Sequence, residues 1–229
     1  MKYDIHEQSG PGIKFSAKIN CHAATTPERK LGLAVAAAAN AGVDLTDANL
    51  EGADLYGANL EGVDLSGSNL VRAKLVGARL VGAKLSNIVA SQANFTYANL
   101  MRARLDGSSL VRATLVDADL TDANLCGTNA MDANFYRANL EGANLEGVEL
   151  GGANLTDVNH LISLNRPDRW HAYAWLRDGC LSIRVGCREM RLGEARAHWY
   201  GKEHRREVMA AVEYAAAIAA IRRWPTEPL

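Results

Sequence analysis

From Leu45 to Leu155 every fifth residue is Leu, with only Ala90, Phe95, Ala130 and Phe135 standing in its place. Two residues ahead of each central residue stands Ala, or else Val, Ser, Ile or Thr, and this register holds through 23 consecutive units. A strand repeats its faces every 2 residues and a helix every 3.6. A strict period of five therefore demands a backbone that turns once per unit. Two inward positions out of five, one large and one small, suit a coil that bends at each unit and stacks on the coil below. Gly at the second residue after the Leu (Gly52, Gly57, Gly62, Gly67, Gly77, Gly82) suits a tight turn that a Cβ would strain.

The unit reads Ala-Asp/Asn-Leu-x-Gly and resembles the pentapeptide-repeat family over about half of the chain. The resemblance implies an all-β solenoid, a right-handed quadrilateral β-helix with four pentapeptides per coil and about six coils. The sequence itself supports a coil of 20 residues. Ala90 and Phe95 then occupy adjacent sides of one coil, and Ala130 and Phe135 the same two sides two coils later. Each small residue adjoins a large one, which keeps the volume of the layer nearly constant, as a close-packed core requires. Three or five units per coil would not bring these pairs to the same sides.

Charge follows the same spacing. Residues 1–41 sum to +2, residues 42–159 to −7 and residues 160–229 to +4. At a separation of 20, Lys74 falls over Asp54, Lys84 over Asp64, Arg102 under Asp122, Arg112 under Asp132, and Arg137 over Asp117. Exposed pairs of this kind contribute about 0.2–1 kcal/mol each, so the stability rests on the central Leu residues. Burying each of these gains about 1.5–3 kcal/mol before entropy is counted. The remaining basic residues of the repeats, Arg72, Arg79 and Arg104, have no acid 20 residues away. Lys74, Arg79, Lys84 and Arg104 also stand where Asn or Asp is the rule. This basic band reads either as edge protection or as a contact patch for an acidic partner.

The flanks differ in kind, and the chain divides into residues 1–42, 43–159 and 160–229. A solenoid needs its ends covered, because the end coils expose apolar surface and unpaired edges, so small α+β caps are expected at both ends. In residues 1–42, Tyr3 and Ile5, then Ile13, Phe15, Ala17 and Ile19, alternate as strand residues about a Ser9-Gly10-Pro11-Gly12 turn. Thr26-Pro27-Glu28 starts a helix bearing Leu31, Val35 and Ala38, which ends near Gly42. In residues 160–229, Asp178-Gly179 signals a hairpin pairing Leu176 with Leu181, Ala174 with Ile183 and Ala172 with Val185. Leu192–Tyr200 reads as a short helix and Arg205–Trp224 as a long Ala-rich one stopped by Pro225. The expectation is a ββαα module. It resembles the terminal modules of uncharacterised bacterial and phage pentapeptide-repeat proteins.

No constellation in the chain points to catalysis. Cys180, Cys187, His198 and His204 lack the two-to-four-residue ligand spacing of structural zinc sites. Cys21 and His22 are neighbours whose side chains diverge in a strand, with no third group to orient them. No phosphate loop, nucleophile elbow or dinucleotide fingerprint is present. No cofactor or metal is expected, and no enzyme. Four scattered cysteines form no disulfide framework, and the first residues carry no apolar signal core. A cytoplasmic protein is expected, with no contact to membrane.

All four Trp lie in residues 160–229. They read as the core of that module, or, for Trp175 and Trp224, as anchors in a homodimer or partner interface. The leading expectation is thus a non-enzymatic protein-binding scaffold. Its solenoid sets distance, and its C-terminal module, with Arg72, Arg79 and Arg104 on the solenoid, meets a protein partner. The resemblance also implies an alternative, because some members of the family imitate the shape and charge of duplex DNA and bind topoisomerase. The net −7 of the repeats leans that way. Direct binding of nucleic acid is not expected.

Overall fold

The computed structural model describes residues 1–159, 161–164, 172–177, 180–185, 188–199, 212, 213, 215, 216 and 219. The chain divides into two compact units, Met1–Asp157 and Val158–Leu229. No helix among the described residues is long and apolar enough to cross a membrane.

From Asn49 to Asn134, each residue that precedes a central residue forms a parallel bridge with the residue 20 positions further along. The series runs from Asn49↔Asn69 to Asn134↔Asn154. Four units therefore complete one coil. Leu100 shows how the backbone is bonded: its N–H donates upward to the Asp119 carbonyl (2.7 Å), while the Asn99 N–H donates downward to the Ala78 carbonyl (2.9 Å). Arg102 N–H also donates upward, to Thr121 (2.8 Å), and Ala103 N–H closes the turn on the Leu100 carbonyl (3.0 Å). Four of the five amides of the unit are thus paired within the backbone.

The fifth amide explains the preference for Asn or Asp. Met101 N–H donates to the Asn99 side-chain oxygen (3.1 Å), a local turn that these short polar side chains favour. In all 15 units that carry Asn or Asp before the central residue, the amide two residues on makes this bond.

The corner residue after it is left-handed in every unit, with φ between 52° and 71°. Glycine fills 11 of these 23 corners, and the other 12 hold longer side chains such as Tyr97, Arg102 and Arg112. Glycine is preferred there for its missing Cβ, but the bonds above and below hold any residue in place.

The core is the column of central residues. Leu60 to Phe135, including Ala90, Phe95 and Ala130, are wholly inaccessible at these positions. One inward column carries hydroxyls. The Ser108 hydroxyl reaches down one coil, donating to the Leu85 carbonyl (2.6 Å) and accepting the Ile88 N–H (3.2 Å). Ser68 does the same for Leu45 and Ala48. Replacing Ser108 with Ala strands a buried donor and acceptor, which costs about 1–3 kcal/mol. A lowered urea midpoint with an unchanged m-value is the expected result.

Antiparallel strands β1 (Lys2–Glu7) and β2 (Ile13–Lys18) precede the first coil, with Ile5 opposite Phe15 and a register shift after it. Helix α1 (Pro27–Asn40) follows, its first turn closed by Thr26, whose hydroxyl accepts the Arg29 N–H. Both elements meet the lower edge of the first coil. β1 pairs with β3 (Ala48–Asn49) through His6↔Asn49 and Glu7↔Ala48. The Asp54 N–H, which has no coil below it, donates to the Glu28 carbonyl of α1 (3.0 Å). Gly32 permits this approach, because a Cβ there would overlap the Asp54 carbonyl oxygen.

The second unit holds a four-stranded antiparallel sheet in the order β4 (Leu161–Leu164), β5 (Ala172–Arg177), β6 (Cys180–Val185), β7 (Arg188–Arg191). The β5–β6 register is the one read from the sequence: Ala172↔Val185, Ala174↔Ile183 and Leu176↔Leu181. The expectation of two strands is corrected to four. β4 and β7 extend the hairpin because its outer edges otherwise leave backbone groups unpaired. Helix α2 (Leu192–Trp199) follows directly, with the Glu194 carboxylate accepting the Arg191 N–H (2.9 Å). Residues 212, 213, 215, 216 and 219 are helical, and the Glu213 carboxylate accepts from Nε and Nη2 of Arg196 (2.9 and 2.7 Å). The Asp178-Gly179 turn and the rest of the 205–224 span lie outside the described residues.

Candidate binding surface

In eight of the 23 units the residue before the centre is not Asn or Asp: Lys74, Arg79, Lys84, Val89, Arg104, Ser109, Thr114 and Glu149. Four of these units, Lys74 to Val89, are consecutive, with Arg79 and Lys84 in the middle two, and Arg104 bridges Lys84 from the coil above. Arg102 stands at the corner between them with φ 56°. Over residues 79–84 and 99–104 the outward charges are therefore Arg79, Lys84, Arg102 and Arg104, all positive. Val81 and Met101 lie stacked at the centre of this face, half-buried. The four cations are 54–73 % exposed.

Arg72, Arg79 and Arg104 have no acid 20 residues away, as read from the sequence, yet each meets an acid at another separation. Arg79 bonds Glu61 at 2.9 Å, Arg72 lies 3.7 Å from Glu51, and Arg104 lies 3.6 Å from Asp106. A long guanidinium reaches diagonally to the coil below, as in Arg72 and Arg79, or sideways along its own coil, as in Arg104. Vertical pairs form between Lys84 and Asp64 (3.1 Å), Arg102 and Asp122, Arg112 and Asp132, and Arg137 and Asp117. Lys74 sits over Asp54 as read from the sequence, but that carboxylate lies 3.9 Å from Arg29 of α1. Burial pushes the Asp64 carboxyl up, yet the Ser66 hydroxyl and amide and the Lys84 ammonium outweigh it and hold the group below its ordinary value. The Thr46 amide and hydroxyl similarly hold Asp44 down. The amide of the residue after the central Leu is thus a good site for a carboxylate.

The tryptophans fall differently. Trp175 lies on β5 and is 2 % exposed, so it belongs to the interior and not to an exposed anchor. It pairs across the sheet with Leu161 and Ser182. Trp224, Cys187 and His204 lie outside the described residues. On the first unit the exposed aromatics are Tyr56 and Tyr97, 69 % and 64 % accessible. Tyr136 stacks four coils above Tyr56, with the Arg137 guanidinium 6.0 Å from its ring centre.

Residues 44–80, 73–110, 108–147 and 133–159 match the family described as pentapeptide repeats, in eight copies. No curated protein matches the chain. Among solved structures, it is 36 % identical to Rfr23, a pentapeptide repeat protein of the cyanobacterium Cyanothece 51142, over 43 % of this chain and 65 % of that one, with a TM-score of 0.38. It is 31 % identical to HetL, a pentapeptide repeat protein involved in heterocyst differentiation regulation in Nostoc sp. strain PCC 7120, over 49 % of this chain and 65 % of HetL, with a TM-score of 0.31. QnrB1, a plasmid-mediated fluoroquinolone resistance protein, is 19 % identical over 46 % of this chain and 64 % of its own, at a TM-score of 0.24. The chain spans less than two thirds of the length of each of these proteins. Its repeats, in coils of four units, imply a right-handed quadrilateral β-helix, and the chain belongs to the pentapeptide repeat family.

Proposed function

We propose that the chain is a non-enzymatic protein-binding scaffold. The observation that carries this reading is the bonding of the outward side chains. Fifteen Asn and Asp residues are tied to the backbone of their own units, and ladders such as Asn144 to Asn124 (3.1 Å) and Asn154 to Asn134 (3.0 Å) tie one coil to the next. Side chains held this way present a fixed pattern to a partner at little entropic cost on binding. Residues 1–42 act as the cap of the first coil, supported by the β1–β3 pairing and the Asp54–Glu28 bond. Residues 160–229 are a second contact, for the partner or for another copy of the chain, made without Trp175. A photo-crosslinking residue placed in turn at Tyr56, Tyr97 and Met101 should couple the full chain to one protein species in lysate. Coupling to nucleic acid alone, or to nothing at all three positions, would end this reading.

The net −7 of residues 42–159 favours a second reading, in which the acidic surface occupies the DNA site of another protein. It requires salt-sensitive inhibition of a DNA-binding enzyme such as a topoisomerase. Full supercoiling activity in the presence of excess protein counts against it.

A further inference from the structure

The basic face lacks an acceptor that most other units possess. Arg79 and Lys84 replace the Asn or Asp whose oxygen would receive the amides of Val81 and Ser86, and those N–H groups have no acceptor among the described residues. In 15 other units the equivalent amide is reached by an outward side chain, so it is accessible from the outer surface. An open donor beside four exposed cations is a place for an anion. We propose that the face formed by Arg79, Val81, Lys84, Met101, Arg102 and Arg104 binds an acidic peptide segment of a partner protein. One of its carboxylates accepts the Val81 N–H, in the position that an Asn or Asp side chain holds elsewhere. The inference rests on the protein-binding reading and names the partner's chemistry.

Three observations select a carboxylate-bearing peptide over a nucleic acid. The cation cluster covers only two adjacent coils, about 5 Å apart, whereas a phosphate backbone needs a longer basic track. Glu61 and Asp64 below the face, and Asp119 and Asp122 above it, would repel such a backbone on both sides. The open donor is a backbone amide of the type that carboxylates occupy in this same chain. The existing ion pairs do not block the site. Each is exposed, and such pairs are weak, while a guanidinium with five N–H donors can hold a second carboxylate. Val81 and Met101 give the aliphatic stems of the acidic residues an apolar floor.

The test uses the full chain and a dye-labelled peptide of ten glutamates. Titration should move the Val81 and Ser86 amide proton resonances downfield. The triple variant R79N/K84N/R104N should bind the peptide at least about tenfold more weakly. Loss of folding will not account for that change, because each substitution restores the missing acceptor, and the urea midpoint of the variant should stay equal or rise. Unchanged peptide affinity in the triple variant overturns the proposal, as does a stationary Val81 amide. A single-stranded oligonucleotide of equal charge that moves the same amides at lower concentration also overturns it. Cross-linking from Tyr97 to a protein that survives the triple substitution would leave the scaffold reading standing and refute this one.

Discussion

Replacing Gly32 with Ala should destabilise the first coil by about 3 kcal/mol, at the upper end of the cost of overpacking. The sign is the informative part. Inside a helix, Ala is favoured over Gly by about 0.5–1 kcal/mol, so helix propensity alone predicts the opposite change. The packing wins because the added Cβ would overlap the Asp54 carbonyl oxygen and stand 2.7 Å from the carbonyl carbon. Both atoms belong to a backbone held by the bond to the Glu28 carbonyl and by bonds to the coil above, so α1 has to lift away. Urea unfolding measures the cost. Amide exchange at Asp54, whose N–H is held at 3.0 Å by Glu28, should accelerate selectively, and an exchange rate equal to wild type would show that α1 stays seated.

Phe95 carries the second large effect. It is wholly buried beside Ala90 on the same coil, and Phe95→Ala should cost about 3–5 kcal/mol. Ala90→Leu alone overfills the layer and should cost about 1–3 kcal/mol, while Phe95→Leu alone leaves a gap. The double substitution Ala90→Leu/Phe95→Leu restores the pattern of the other coils and should be nearly neutral. A double-mutant cycle then gives a coupling energy above about 1 kcal/mol. Additive effects would mean that the two side chains do not share volume, and the same test applies at Ala130 and Phe135.

The sequence was legible wherever a local pattern decided the structure. The period of five and the coil of 20 follow from apolar spacing and the β5–β6 register from the Asp178-Gly179 signal, and the bridges and strand pairs have those spacings. Thr26-Pro27 likewise marks the start of α1. What escaped depends on reach or on tertiary proximity. The partners of Arg72, Arg79 and Arg104 lie 21, 18 and 2 residues away, offsets that a flexible side chain allows and a vertical stack does not predict. The closeness of Gly32 to Asp54 involves two segments joined by no repeating pattern. β7, with the sequence Arg-Glu-Met-Arg, is charged at three of four positions and has little strand propensity. It is a strand because β6 offers it a backbone edge. The basic face was visible as Arg79, Lys84 and Arg104 out of pattern, but its meaning was not. The consequence of losing Asn or Asp appears only when the amide two residues on is seen to depend on it.

The left-handed corners recur every five residues and each bridge joins residues 20 apart, so a change in chain length acts as a change in angle. Deleting one pentapeptide between Tyr97 and Tyr136 would keep every Leu buried and every corner in place. Yet it would turn all later residues by a quarter revolution, moving Tyr136 off the side it shares with Tyr56. Deleting four pentapeptides would shorten the stack by about 5 Å and restore the original bearing. In such a chain, insertions and deletions are rotations, and the count of residues modulo 20 is an address on the circumference.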